Sequence, residues 1–376
     1  YKDNYRDVVV NEKPSQLSIV LEESTEFLNE IELIVKKPTL KREVDRLVFN
    51  VEKTALSEGN MMEVLRSTPS VLVLDGAIMV KNSSPTVYIN NRKVHLTSTE
   101  LVELLEGTSA SNVKSVEVIT NPSAKYDAES GVVLNIVMSK NLVTGYNGSV
   151  YSNYTQGVFP KLNHGTSHYF KSEKTDIFLN YSYNDQKIDR VTKEYINYPE
   201  EEWNTTLDRN TWSETHSIGF NLDHQINNKN TIALAANALF LPYFKYLTKG
   251  ETIISSAINN IGYFNSANLA RDKKHNLGFD LDYTNKISDK TSLSFNTHYT
   301  NYDYFRNQNV NSNYFDTNNA FLLSTNFKTR SDQGTNIFTS QIDYSTSISE
   351  SSLFEIGVKY SNVKTESGII HRDIIN

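Results

Sequence analysis

The chain of 376 residues contains no cysteine, which excludes disulfides, thiolate metal sites and cysteine nucleophiles. It has no run of about 18 apolar residues, so no segment reads as a membrane-spanning helix. That absence leaves a membrane β-barrel open, because barrel strands signal by alternation rather than by mean hydropathy, here −0.47. A basic excess is also missing: the net charge is −7 and the pI about 5.7, which speaks against a nucleic-acid partner. No P-loop, G-x-G-x-x-G, H-E-x-x-H or G-x-S-x-G pattern occurs, so no catalytic residue and no cofactor is assigned and no enzyme is expected. No signal peptide is visible, and a start at Tyr1 reads as mature or trimmed.

Tryptophan and methionine are scarce, 2 and 4, against 22 tyrosines and 17 phenylalanines, a strand-leaning profile. The stretch HNLGFDLDYTNKISDKTSLSFNTHYTNYDYF (275–305) shows the period directly. Leu277, Phe279, Leu281 and Tyr283 share one face, and Gly278, Asp280, Asp282 and Thr284 the other. A soluble sheet with one wet face and a membrane barrel with a wet lumen both satisfy this alternation. Nine strands are predicted after residue 140, at 144–155, 164–172, 175–185, 212–226, 231–243, 274–286, 290–304, 333–346 and 352–364. Tight connections (SEKT, NNKN, SDK, SESS) alternate with long polar segments at 186–211, 244–273 and 305–332. Short turns at one end and long loops at the other are a barrel trait, so the barrel is preferred. Leu277, Phe279 and Leu281, Ile218, Phe220 and Leu222, and Phe354, Ile356 and Val358 are then expected to face lipid. Asp280, Asp282, Asn296 and His298 are expected to face the lumen. Tyr283 and Tyr344 fall at one rim of the apolar band, and Tyr181, Tyr183, Tyr299 and Tyr360 at the other, as an aromatic girdle.

Residues 41–140 read as a compact α/β domain. LVFNVE is a strand, NMMEVLRST a helix stopped before Pro69, and VLVLD and IMVKN pair around Gly76. VYINNRKV is a hairpin turning at Asn90-Asn91, and Thr97 with Glu100 opens the helix STELVELLEG as a capping box. VKSVEVIT and VVLNIVMSK complete the domain as strands, with NPSAKYDAESG between them. Before it, 1–27 holds a strand candidate, QLSIVLEE, and 28–40 reads as an extended linker ending at Pro38.

The segments VDRLVFNVEKTALSEGNMMEVLRSTPSV and VYINNRKVHLTSTELVELLEGTSASNVKSVEVITNPSAKYDAESG resemble the plug domain of TonB-dependent outer-membrane receptors, in particular the Bacteroidetes branch labelled outer-membrane β-barrel family proteins. The pattern IEVITNPSAKYDAEG followed by IINI is characteristic of that branch, and this chain has VEVITNPSAKYDAESGVVLNIV. The matching positions are Asn121, Pro122, Ser123, Ala124, Lys125, Tyr126, Asp127 and Gly131. A single glycine, Gly131, stands where the family has two or more, so the local turn is expected to differ. The resemblance implies a 22-stranded barrel with a plugged lumen. Nine strands are too few and odd, so the chain is expected to be a fragment, with 1–27 the end of a preceding β-domain, 41–140 the plug and 141–376 the first part of the barrel. It implies an outer-membrane location in a Gram-negative bacterium, with the plug facing the periplasm. It also implies a TonB box that adds a strand to TonB, which the inner-membrane complex energises. Glu30, Ile31, Glu32, Leu33, Ile34 and Val35 fit that segment, and a plain strand is the alternative.

The functional expectation is a receptor for energised uptake of a nutrient: a glycan, a peptide or a metal chelate. A surface lipoprotein is a further partner to expect. Tyr195, Tyr198 and Trp203 are the substrate-loop candidates, beside the acidic run Glu200, Glu201 and Glu202, whose other reading is a solvated loop. The alternative function is a non-transporting barrel and plug protein serving as a structural or assembly subunit of a larger complex. His164 and His168, about 13 Å apart if in a strand, do not share a metal. Asp280 and Asp282 read as a hydrated lumen wall rather than a cation site.

Overall fold

The computed structural model describes residues 37–373 except 44, 75–76, 95, 97, 123–125, 127–130, 140–143, 257–259 and 350–351. Residues 1–27, the candidate segment Glu30 to Val35, and Ser123, Ala124, Lys125 and Asp127 of the plug motif lie outside the described residues.

The first part is a small mixed domain. Its strands are β1 (Thr39–Arg42), β2 (Arg46–Asn50), β3 (Val71–Leu74), β4 (Ala77–Val80), β5 (Thr86–Ile89), β6 (Arg92–Lys93), β7 (Val113–Ile119) and β8 (Val133–Met138). Six of them form a sheet in the order β1-β2-β7-β8-β5-β6, and β3 and β4 pair separately. The stretch predicted as linker is thus already an edge strand at Thr39. Helix α1 (Met61–Ser67) is capped by Asn60, whose side chain accepts the Glu63 N–H at 3.0 Å. It buries Met61, Met62, Val64 and Leu65 against Val116, Leu134 and Ile136 of the sheet. Helix α2 (Ser98–Gly107) adds Leu105 to the same core. No helix among the described residues is long and apolar enough to cross a membrane.

The β5–β6 hairpin turns as predicted at Asn90 and Asn91, both left-handed with φ of 51° and 63°. Both side chains then tie the turn to β8. Asn90 Oδ1 accepts the Met138 N–H at 3.0 Å, and Asn91 Oδ1 accepts from Asn135 Nδ2 at 3.0 Å. Asn91→Ala is expected to lower plug stability by about 1–2 kcal/mol through the left-handed backbone alone. Asn91→Gly removes only the side-chain contact, so the difference between the two variants in chemical denaturation isolates the backbone cost.

The second part is nine antiparallel strands in sequence order: β9 (Gly145–Gln156), β10 (Pro160–Lys171), β11 (Thr175–Asn197), β12 (Glu202–Asn227), β13 (Asn230–Ser255), β14 (Asn260–Ser288), β15 (Thr291–Asp316), β16 (Phe321–Ser349) and β17 (Ser352–Asp373). The number of strands and the tight turns match the sequence reading. The long loops do not. β11 through β16 run for 23 to 29 residues each, so 186–211, 244–273 and 305–332 are strand almost throughout. Both ends of the sheet turn tightly, and the far ends are hairpin tips such as 198–201 and 317–320. The ladder between β11 and β12 continues without a break from Thr175↔His224 to Asn197↔Glu202. Amide side chains reinforce the extensions: Gln308 donates to Asn268 at 3.0 Å, and Asn311 donates to Asn326.

Alternation sorts the faces. Ser213, Thr215 and Ser217 of β12 are buried against the plug, while Ile218 and its partners point away. Phe279 is 52% exposed and Val358 74%, on the face opposite the plug. On that outward face the apolar residues form a band across the sheet, from Ile177–Tyr183 on β11 to Phe354–Tyr360 on β17. Each run spans about 20 Å of strand, close to the band of about 25 Å that a barrel presents to lipid. Tyr181, Tyr183, Tyr299 and Tyr360 close the band on the hairpin-tip side, and Tyr283 and Tyr344 lie toward the tight turns, as predicted.

Candidate plug seam and outer vestibule

The plug meets the inward face of the sheet through a polar seam. Arg92 of β6 donates from Nε and Nη2 to Asp282 Oδ2 at 2.9 and 2.8 Å, and from Nη1 to Asn221 at 3.2 Å. Asn296 donates to the other Asp282 oxygen at 2.6 Å. Asp282 therefore anchors the plug, a role the hydrated-wall reading did not foresee. The wall reading does hold for direction: Asp280, Asp282, Asn296 and His298 all point inward. Asp280 contacts His298 Nδ1 at 2.8 Å, and His298 Nε2 meets the Thr300 hydroxyl at 2.6 Å.

Helix α2 carries the rest of the seam. A helix ends with unsatisfied carbonyls, and here strand side chains supply the donors. Tyr151 donates to the Gly107 carbonyl at 3.0 Å and Asn163 to the Glu106 carbonyl at 2.9 Å. Past the helix, Asn112 donates to Ser167 at 2.9 Å and accepts from Tyr169 at 3.2 Å. Leu96 and Leu104 add a small apolar contact with Leu239, Leu241 and Phe244. Glu103 is buried, and its carboxyl accepts from Gln186 at 3.2 Å, Ser213 at 3.2 Å and Thr215 at 3.0 Å. Burial pushes its pKa up to about 7, Glu106 adds in the same direction, and the hydrogen bonds from Thr215, Ser213 and Gln186 act against the rise. Glu100, one turn earlier, is buried with Lys274 Nζ at 4.0 Å.

Of the plug motif, Tyr126 is buried against Tyr88 edge-to-face at 5.1 Å, and its hydroxyl donates to Asn91 Oδ1 at 3.4 Å. Its part is to lock the Asn90-Asn91 turn that presents Arg92. Asn121 and Pro122 follow β7, and Gly131 precedes β8. Between Arg92, Tyr126 and the inward face of β14–β17 lies a cavity of about 860 Å³, bordered by Asp280, Asp282, Asp343 and Lys359.

Past the seam, the inward face of the long hairpins forms a vestibule wall. Arg306 pairs with buried Asp272 through two contacts of 2.9 and 2.8 Å, and Arg209 stacks 4.5 Å over Tyr246. Nearer the tips, Tyr198, Trp203, Phe264 and Tyr314 make a chain of ring contacts at 5.5, 5.9 and 5.1 Å. Trp203 also donates to Glu201 at 3.0 Å. Two of the three substrate-loop candidates, Tyr198 and Trp203, meet in this ledge. Tyr195 lies in β11 on the outward face, away from it. Among the described residues no group of three His, Asp or Glu side chains converges as a metal site, and His168 is bound by Tyr146 and Thr166.

Residues 285–376 match the family described as "Outer membrane protein beta-barrel family". No curated protein sequence matches the chain. Among solved structures it is similar to the ferric-catecholate import receptor Fiu from E. coli K12, at 11% identity and a TM-score of 0.42, covering 87% of this chain and 66% of that one. It is also similar to the siderophore receptor PiuA from Acinetobacter baumannii, at 10% identity and a TM-score of 0.32, covering 86% of this chain and 62% of the receptor. The chain thus spans a little under two thirds of the length of these receptors. Residues 285–376 thus carry the pattern of an outer-membrane β-barrel family, and they lie in a nine-stranded antiparallel sheet that packs against a small mixed α/β domain.

Proposed function

We propose that the chain is the plug and a barrel portion of a TonB-dependent receptor for energised uptake. The observation that supports this reading is the chemistry of the seam. Arg92, Glu103, Gly107 and Asn112 are held mainly by hydrogen bonds and one ion pair. Water can replace such contacts when the plug is pulled, whereas breaking an interdigitated apolar interface exposes surface at about 25 cal/mol per Å². The solute lands on the aromatic ledge of Tyr198 and Trp203, and the plug passes occupancy to the TonB-box candidate Glu30–Val35. TonB adds a strand there and pulls, and the cavity beside Arg92 gives the plug room to shift. Rings and amides on the vestibule wall suit a sugar or a peptide.

The absence of native cysteine makes a direct test clean. Cysteines at Asn112 and Ser167, whose side chains are 2.9 Å apart across the seam, would tether plug to wall. Deleting residues 30–35 is expected to abolish capture of the TonB periplasmic domain by the purified receptor. The oxidised cysteine pair is expected to keep that capture but stop proton-motive-force-dependent uptake, with recovery on reduction. Capture and cellular function that survive the deletion would replace this reading with a structural subunit of a larger complex.

A further inference from the structure

The outward face changes character just past the apolar band. Lys187 of β11 is opposite Trp212 of β12, Trp212 is opposite Lys245 of β13, and Lys245 is opposite Arg271 of β14. These residues form one unbroken rung across four strands. Lys187 Nζ lies 4.9 Å and Lys245 Nζ 4.4 Å from the Trp212 ring, and Lys187 also covers Phe159 at 3.5 Å. Lys273 stands one outward step closer to the band. Among the described residues, none of these four cations forms an ion pair. Asp185 and Glu214 occupy the step between rung and band on β11 and β12, yet the lysines lean over the indole instead. Two ammonium groups drawn to one ring repel each other, and an anion between them removes that cost. Tyr183 marks the edge of the band, and Lys187 is about 13 Å further along a tilted strand, at the depth where lipid headgroups begin.

Taking the strands as membrane-spanning with their hairpin tips outside, we infer that Lys187, Trp212, Lys245 and Arg271 bind the phosphate of an outer-leaflet lipid headgroup. The lysines and arginine supply charge-assisted donors, and the Trp212 and Phe159 rings hold the lysine stems upright. The site is continuous with the lipid-facing band, so the acyl chains of the same molecule lie along Leu179, Phe220 and Phe279. It is on the opposite side of the sheet from the vestibule, so it acts on the membrane and not on the transported solute.

The test uses the whole chain purified in detergent and native mass spectrometry with diphosphoryl lipid A, its dephosphorylated form and inorganic phosphate. The wild type is expected to retain the phosphorylated lipid and not the dephosphorylated one. Each cation near an anionic surface contributes about 1 kcal/mol, or about fivefold. Lys187→Gln with Lys245→Gln should therefore bind about 25-fold more weakly, while arginine at both positions should retain binding. Lys249→Gln, on the same face further out, should change nothing. Equal binding by the double glutamine variant, or equal retention of the dephosphorylated lipid, would overturn the inference. Inorganic phosphate binding as tightly as the lipid would make the rung a free-anion site and overturn it too. Heat-dependent gel mobility checks that the variants fold, and if the double variant does not, Lys245→Gln alone, at about fivefold, decides. Failure of the membrane reading would appear differently, as a chain that stays soluble without detergent.

Discussion

Replacing Glu103 by glutamine should raise the thermal unfolding midpoint of the plug at pH 8 and leave it unchanged at pH 4.5. The carboxyl is buried between α2 and the inward faces of β11 and β12, and its pKa rises from 4.5 in the open to about 7 in place. Between those values the docked plug holds a proton that the undocked plug has lost. The native state then binds more protons, so stability falls as pH rises from 4.5 and levels off above 7. The full effect is about 3 kcal/mol, since each pKa unit corresponds to about 1.36 kcal/mol. Glutamine has no charge to desolvate and keeps an oxygen for Gln186, Ser213 and Thr215, so its pH profile should be flat across this window. Glu103→Ala is different: it strands those donors at every pH, at about 1–3 kcal/mol. Melting curves from pH 4.5 to 8 separate these cases, and wild-type and glutamine profiles that run parallel would refute the assignment.

Glu103 also shows where the sequence stops being legible. STELVELLEG reads as an amphipathic helix with Glu100, Glu103 and Glu106 on its wet side. The periodicity is right, but a plug helix has two neighbours. Its apolar side meets the plug core through Leu105, and its polar side meets a wall of Gln, Ser, Thr and Lys. Helix patterning does not distinguish water from a polar protein surface. One signal was present on the other side. Asp282 points into the lumen with only Asn296 facing it on β15 and Ala233 on β13, which predicts a cation from elsewhere, and Arg92 is that cation.

Strand length was lost for a related reason. Within the apolar band, Leu277, Phe279 and Leu281 against Gly278, Asp280 and Asp282 give a period of two that needs no structure to see. Past the band both faces are wet, as in RNQNVNSNYFD of β15, and composition alone reads loop. Backbone pairing does not depend on that contrast: the Arg306↔Ser331 to Tyr314↔Leu323 ladder persists, braced by Asn and Gln cross-strand contacts. The tight turns were legible because SEKT, NNKN and SDK are local turn chemistry. Tyr126 was singled out only through the plug resemblance, and its contact with Asn91, 35 residues upstream, belongs to the fold rather than to any local pattern.

The same contrast yields the largest expected effect. Phe279 sits in the middle of the outward band on β14, 52% exposed to the surroundings, and Val191 sits on the outward face of β11 beyond the band, 60% exposed. In water these two positions are equivalent, and an arginine at either would change stability by no more than about 0.5 kcal/mol, as surface substitutions do. In a bilayer they are not. Phe279→Arg places a charge near the membrane midplane at about 2–4 kcal/mol, while Val191→Arg lies outside the hydrocarbon and costs about nothing. Refolding from urea into phosphatidylcholine vesicles measures both on one scale. Phe279→Arg should shift the midpoint strongly and lower the inserted yield, with Val191→Arg indistinguishable from wild type. Equal behaviour of the two variants would mean that Phe279 never meets lipid. The apolar band would then be an ordinary exposed sheet face, because no other account of the band makes a charge at 279 so much more costly than a charge at 191.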